Sequence, residues 1–132
     1  MEKYILFLFL ACVICTAAAQ PADNKASFDA MEACIRTGDV TALSAWFPNT
    51  LECNLLGEES AYSKAQATMV LKNFFEQHPP AKFAFKHSSD KQTVKYAIGI
   101  LQTKNNDILR VTILIKDQNK ELKIQQLRIE RE

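Results

Sequence analysis

Beyond Pro79-Pro80 the sequence offers four runs that read as β-strands: Lys82–His87, Val94–Thr103, Ile108–Lys116 and Glu121–Glu130. The segments KNND and DQNK separate the last three. Connections this short and this rich in Asn and Asp suit hairpins, because those residues tolerate the left-handed backbone of tight turns. Strands joined by hairpins are antiparallel neighbours, so this part of the chain is committed to a meander. Its last run is irregular. Leu122 and Ile124 share one parity, and Leu127 and Ile129 share the other. Side chains alternate with period two, so an unbroken strand cannot bury all four on one face. A bulge or sharp twist near Gln125-Gln126 is expected. A bent strand curls the sheet, and a curled sheet with helices in its mouth makes a cone able to hold a pocket.

Upstream the periodicity is helical. Phe28, Met31 and Ile35 recur at i, i+3 and i+7 from Ser27 onward, with Cys34 beside them. Gly38 ends that helix, with Arg36 in its last turn. Asp39 can cap a second short helix, Val40–Phe47, which Pro48 stops. Trp46 falls at the edge of its apolar face and is either core or pocket wall. TLECNLL, from Thr50 to Leu56, alternates Leu51, Cys53 and Leu55 against Glu52 and Asn54 as a half-buried strand does. Gly57-Glu58-Glu59-Ser60 reads as a loop. In AYSKAQATMVLKNFF, Ser63 and Gln66 form the S-x-x-Q pattern of a capping box ahead of a helix that buries Ala67, Val70, Leu71, Phe74 and Phe75. That pattern accounts for Ser63 better than a nucleophile would, since no base or nucleophile elbow accompanies it. Helices first and a meander afterwards make the class α+β, with a curved antiparallel sheet packed against three helices.

The chain of 132 residues suffices for one domain, and its net charge of +1 leaves no basic stripe for nucleic acid. MEKYILFLFLACVICTAAAQP has the layout of a secretory signal: Lys3, an apolar run, then Ala17-Ala18-Ala19 before Gln20. The 16 residues Tyr4–Ala19 fall short of the ~20 a spanning helix needs, so no membrane span is expected after processing. The residues before Cys12 and Cys15 fit a lipoprotein signal poorly. The expected layout is a signal at residues 1–19, a flexible leader at 20–26 and one domain at 27–132, placed in the periplasm or outside the cell. Cys34 and Cys53 stay in the mature chain, an even pair in an oxidising compartment, and can be a disulfide or two buried thiols.

The stretches AYSKAQATMVLKNFFEQHPPAKFAFKHSS, YAIGILQTKNNDILRVTILIK and IQQLRIE resemble a family of small exported bacterial proteins, domain of unknown function 4783, in the nuclear-transport-factor-2-like superfamily. The resemblance runs from about Met31 to the C-terminus. Tyr62–Ala67, Phe74-Phe75, His87 and Tyr96-x-Ile98-Gly99 are its most specific parts. It implies a cystatin-like cone, a curved sheet wrapped around helices. It implies no activity, because that superfamily holds isomerases, hydrolases and dehydratases as well as many binding and assembly domains.

The candidate polar lining of such a cone is Tyr62, His87, Tyr96, Gln102 and Arg110, with Trp46 as a wall. Phe83, Phe85 and His87 share one parity, which sets the histidine in a pocket or at its rim. Tyr96 shares parity with Val94, Ile98 and Ile100, which favours core packing with a satisfied hydroxyl. The inward parities supply no Asp or Glu: Glu52 faces away, and Asp90, Asp107 and Asp117 fall in turns. A general acid or base is therefore missing from the cone. Two histidines without a carboxylate motif make a poor zinc site, and no cofactor is expected. The leading expectation is a non-catalytic binding module for a small amphipathic molecule or peptide. The alternatives are an isomerase- or hydrolase-type enzyme using His87 with Tyr62 or Tyr96, and an assembly domain whose protein partner meets the outer sheet face. On Ile108–Lys116 that outer face carries Arg110, Thr112, Leu114 and Lys116. It does not demand a large apolar interface, though a homodimer is compatible with it.

Overall fold

A computed structural model of the protein describes residues 24–89 and 94–132. The expected signal, its cleavage after Ala19 and the start of the leader lie outside those residues. Helix α1 spans Asn24–Thr37, beginning earlier than Ser27, and buries Phe28, Met31 and Ile35. It ends at Gly38, whose φ of +71° suits a residue without a Cβ. The Gly38 N–H donates to Ile35 O at 3.1 Å and the Asp39 N–H to Cys34 O at 2.8 Å, the paired bonds of a Schellman end. The Asp39 carboxylate then accepts from Ala42 N at 3.1 Å and caps α2, Val40–Leu43, which runs on as a 3₁₀ turn over Ser44–Trp46. Helix α3 is Lys64–Gln77. The Ser63 hydroxyl accepts from Gln66 N at 3.2 Å while Gln66 Oε1 accepts from Ser63 N at 3.1 Å, so the capping box is complete.

The strands are β1 Thr50–Leu55, β2 Glu58–Ser63, β3 Pro80–Ser89, β4 Val94–Thr103, β5 Ile108–Gln118 and β6 Glu121–Arg131. They form one six-stranded sheet in the order β2-β1-β6-β5-β4-β3. β1 runs parallel to β6 and every other pair is antiparallel, so the sheet is mixed. β2 replaces the loop expected at Gly57–Ser60. Its residues show no apolar alternation, so the signal had to be conformational: Leu56 and Gly57, at φ +53° and +94°, make a two-residue turn with both residues left-handed. The Asn54 side chain steadies it, accepting from Gly57 N at 3.0 Å and donating to Glu59 Oε1 at 3.0 Å.

The helices cover one face. Leu51, Leu101, Leu109, Val111, Ile113, Ile115, Ile124, Leu127 and Ile129 point into it and, with the helices' apolar side chains, form one buried cluster. The bulge expected in β6 is present: Leu114 pairs with Gln126 and Ile115 with Ile124, leaving Gln125 as the extra residue. Leu122, Ile124, Leu127 and Ile129 are thereby all buried.

Two parities differ from expectation. On β4 the inward residues are Lys95, Ala97, Gly99, Leu101 and Thr103, and Tyr96 faces out. Room decides this. A Cβ on Gly99 would lie 2.6 Å from Phe83 Cζ and 2.7 Å from Ala84 O, so the inner side of β4 has to be small where the Phe83 ring crosses it. On β3 the register slips between Phe85, paired with Gly99, and His87, paired with Ile98. This slip turns His87 to the outer face while Phe83 and Phe85 stay inside.

Cys34 and Cys53 are free thiols, so the bridge considered from sequence is not formed. α1, carrying Cys34, packs on β3. Cys53 sits on β1, four strand positions away from β3 in the sheet order. A disulfide tolerates a Cα separation of no more than about 7 Å.

Candidate functional site

The outer face of the sheet can be read row by row from the registers. One row holds Glu52, Gln126, Leu114, Tyr96 and Ser89. The next holds Asn54, Arg128, Thr112, Ile98 and His87, and the third Glu130, Arg110, Ile100 and Ala84. Ile108 and Gln102 pair below them, and Val94 and Lys116 above. The polar residues gather on β1 and β6. The apolar ones gather on β4 and β5 as a band of Val94, Tyr96, Ile98, Ile100, Ile108 and Leu114. Val94, Tyr96 and Ile108 are 45%, 42% and 48% exposed, although they are large and hydrophobic. Ile98, Ile100 and Leu114 are half-buried by their neighbours. Single exposed apolar residues need no explanation, but a contiguous band does.

Beside this band, two arginines are paired within the chain. Arg110 Nε donates to Glu132 Oε2 at 2.9 Å, and Arg128 Nη2 donates to Glu130 Oε1 at 2.9 Å. The hydrogen bond and charge of Glu132 raise the Arg110 pKa further above its ordinary value. Two shallow, open depressions flank the band. One, about 310 Å³, is lined by Glu52, Asn54, Glu59 and Gln126; the other, about 560 Å³, by Lys82, Gln102, Lys104, Asp107 and Ile108.

The six residues expected to line one cone divide between the two sides of the sheet. Trp46 and Tyr62 are half-buried against the core on the helix side. His87, Tyr96, Gln102 and Arg110 are exposed on the outer face. Tyr62 on β2 and His87 on β3 stand at opposite edges of the sheet, so they do not form a catalytic pair. His87 and Tyr96 are diagonal neighbours on adjacent strands, open to solvent. The helix-side core between them is occupied by side chains: Leu71, Leu101, Leu109 and Ile113 are 0% exposed. Among the described residues, the one charged side chain buried on the inner parity is Lys95, at 7% exposure. Burial pushes the Cys53 thiol up to about 11. Burial, then the negative charge of Asp39, also raises the Cys34 thiol. Both thiols are thereby poor nucleophiles. Among the described residues no three His, Cys, Asp or Glu side chains come together as a metal site. No described helix is long and apolar enough to cross a membrane.

Residues 28–130 match the model of a domain of unknown function, DUF4783. Solved structures similar to this chain include a DUF4783 protein of Bacteroides ovatus, 22% identical, with a TM-score of 0.74 over 78% of this chain and 93% of that one. A DUF4783 protein of Bacteroides uniformis is 20% identical, with a TM-score of 0.75 over 79% and 95% of the two chains. An NTF-2-like protein of unknown function from Silicibacter pomeroyi is 11% identical, with a TM-score of 0.61 over 82% and 92%. At these identities the likeness is one of fold. No curated protein matches the sequence.

Proposed function

The chain belongs to the DUF4783 family, whose description names no activity, and from that premise we propose an exported, non-catalytic interaction module that works through the outer face of its sheet. The observation that carries this reading is a contrast between the two faces. The face under the helices is filled with its own side chains, whereas the outer face leaves Val94, Tyr96 and Ile108 nearly half exposed beside Ile98, Ile100 and Leu114. Burying such a band in a partner is favourable by about 25 cal/mol per Å² of apolar surface. Export rests on the leading segment of the sequence. The non-catalytic part of the reading rests on the separation of Tyr62 from His87 and on the fact that no Asp or Glu among the described residues is fully buried on the inner face of the sheet. A ligand in the cone is less well supported, because the side chains expected to greet it are on the other side of the sheet.

Radical footprinting of the protein in the compartment that receives it, compared with the purified protein at high dilution, tests this reading. Tyr96 and Leu114 are expected to be protected in the compartment and reactive when dilute. Equal, full reactivity in both would mean that nothing covers the face, and the reading would be lost.

A further inference from the structure

We propose that the depression beside the β4–β5 turn is a binding site for a small hydroxylated anion, a sugar that bears a carboxylate. The site goes beyond the reading above and stands apart from it, since it shares only Ile108 with the apolar band. Two observations carry it: how the hollow is built, and which of its polar groups are left free.

The hollow measures about 560 Å³, and small-molecule sites usually fall between about 300 and 1,000 Å³. One side of its lining is a cross-strand row, Lys82, Gln102 and Ile108. Lys82 enters that row because β3 takes in an extra residue, Ala81: Pro80 pairs with Thr103, and Lys82 with Gln102. Such bulges re-aim the side chains beside them. The other side is the turn, which carries Lys104 and Asn106. That turn is fastened at three points. Lys104 N donates to Pro79 O at 2.7 Å, Asn105 Nδ2 to Gln77 O at 2.9 Å, and Asp107 N to the hydroxyl of buried Thr103 at 3.0 Å. Side chains carried on a fastened turn need less ordering when a ligand arrives, which lowers the cost of binding.

The second observation concerns charge. Asp107 is the one carboxylate in the lining, and it is engaged elsewhere: Oδ1 lies 3.3 Å from Arg131 Nη1 and Oδ2 3.6 Å from His78 Nδ1. Among the described residues, the side chains of Lys82 and Lys104 have no ion pair or hydrogen bond, and neither have the carboxamides of Gln102 and Asn106. The arginines beside the band differ, since Arg110 and Arg128 are paired to Glu132 and Glu130. Two ammonium groups around one hollow repel each other, and an anion between them replaces repulsion with attraction. Each carboxamide offers both a donor and an acceptor, which suits the hydroxyls of a ligand. Ile108, 48% exposed, is the single large apolar residue of the lining. It can cover the C–H face of one sugar ring, but it gives a lipid tail too little surface.

Titration of the isotope-labelled protein with D-glucuronate at low ionic strength, followed by amide NMR, is the test. Saturable shifts centred on Lys82, Gln102, Lys104 and Asn106 are expected, with D-glucose binding at least about tenfold more weakly. Inorganic phosphate, which has the charge without the ring, should bind at least about threefold more weakly than D-glucuronate. Lys82→Met and Lys104→Met, separately, should each weaken D-glucuronate at least about threefold. Lys64→Met, on α3 outside the hollow, should leave it unchanged. Each variant's spectrum shows whether it is folded, and with two variants misfolding of one leaves the other to decide. No saturable shift up to about 100 mM D-glucuronate overturns the site. Equal binding of D-glucose overturns it too, as does binding that both folded lysine variants keep undiminished. Inorganic phosphate binding as tightly as D-glucuronate overturns the sugar. Protection of Tyr96 and Leu114 is unaffected by any of these results, so the hollow and the outer face can fail separately.

Discussion

Gly99 is where a single hydrogen decides the direction of a strand. The Phe83 ring and the Ala84 carbonyl occupy the space a Cβ would need. The ring can shift a little; the carbonyl belongs to the neighbouring strand and cannot do so without disturbing the ladder. Gly99→Ala is therefore expected to destabilise the fold by about 1–3 kcal/mol, the usual cost of overpacking a core. The denaturant midpoint measures it, and an unchanged midpoint would mean that Phe83 has room to move. Cys53 makes a second case. Buried at 3% exposure between β2 and β6, its thiol is raised from 9.0 to about 11. The native state holds the proton where the unfolded chain releases it. This contribution to stability is complete below pH 9 and is lost as pH rises from 9 towards about 11. In the folded protein at pH 8, alkylation by iodoacetamide should be slower at Cys53 than at half-buried Cys34, and unfolding in urea should bring the two rates together. Equal rates in the folded protein would contradict the burial of Cys53.

At the scale of the element, the bulge in β6 reconciles two apolar pairs of opposite parity. Gln125 is the extra residue, and it lets Leu122 and Ile124 join Leu127 and Ile129 inside. Deleting it restores strict alternation and turns one pair outward. At about 1.5–3 kcal/mol for each large side chain brought to water, that loss is roughly 3–6 kcal/mol, comparable with the whole stability of a small domain. The deletion variant is expected to lose cooperative thermal unfolding, whereas Gln125→Ala, which keeps the residue count, should melt close to the parent. A deletion variant that melts like the parent would show that the bulge does not set the faces. The same device on β3 turns His87 out of the row of Phe83 and Phe85. In β6 the bulge was legible because four apolar residues demanded it. In β3 it was not, because Phe-x-Phe-x-His is already consistent with an unbroken strand.

At the scale of the molecule, the two edges of the sheet are protected differently. The β3 edge is covered by α1, whose Glu32 carboxylate accepts from Phe85 N at 3.1 Å. The β2 edge pairs only with β1, and Glu58 and Glu59 on this short strand discourage another strand from joining. Amide exchange should follow this asymmetry: β2 is expected to exchange at least about tenfold faster than β5 and β6, which have neighbours on both sides. Uniform protection across all six strands would contradict it. The central position of β5 and β6 also makes them a firm backing for the band of Ile108, Leu114, Tyr96 and Ile98 on the outer face.

The sequence by itself determined the class, the helix caps at Asp39 and Ser63, the end at Gly38, the faces of β5 and the bulge in β6. Each depends on residues a few positions apart, whose geometry is set by backbone sterics and side-chain period. It also placed Glu52 outside, because β1 alternates cleanly. Only the tertiary structure decided which side of β4 is inside. Both parities of VKYAIGILQT hold apolar residues, and the choice turned on the Phe83 ring from a neighbouring strand, which takes the space beside Gly99. The small residues Ala97 and Gly99, alternating with large ones, were the available signal, but it has meaning only once a ring is known to cross them. The candidate site depended on that same choice. Turning Ala97 and Gly99 inward turns Tyr96, Ile98 and Ile100 outward, and so moves the uncovered apolar surface from the interior of the cone to the outer face of the sheet.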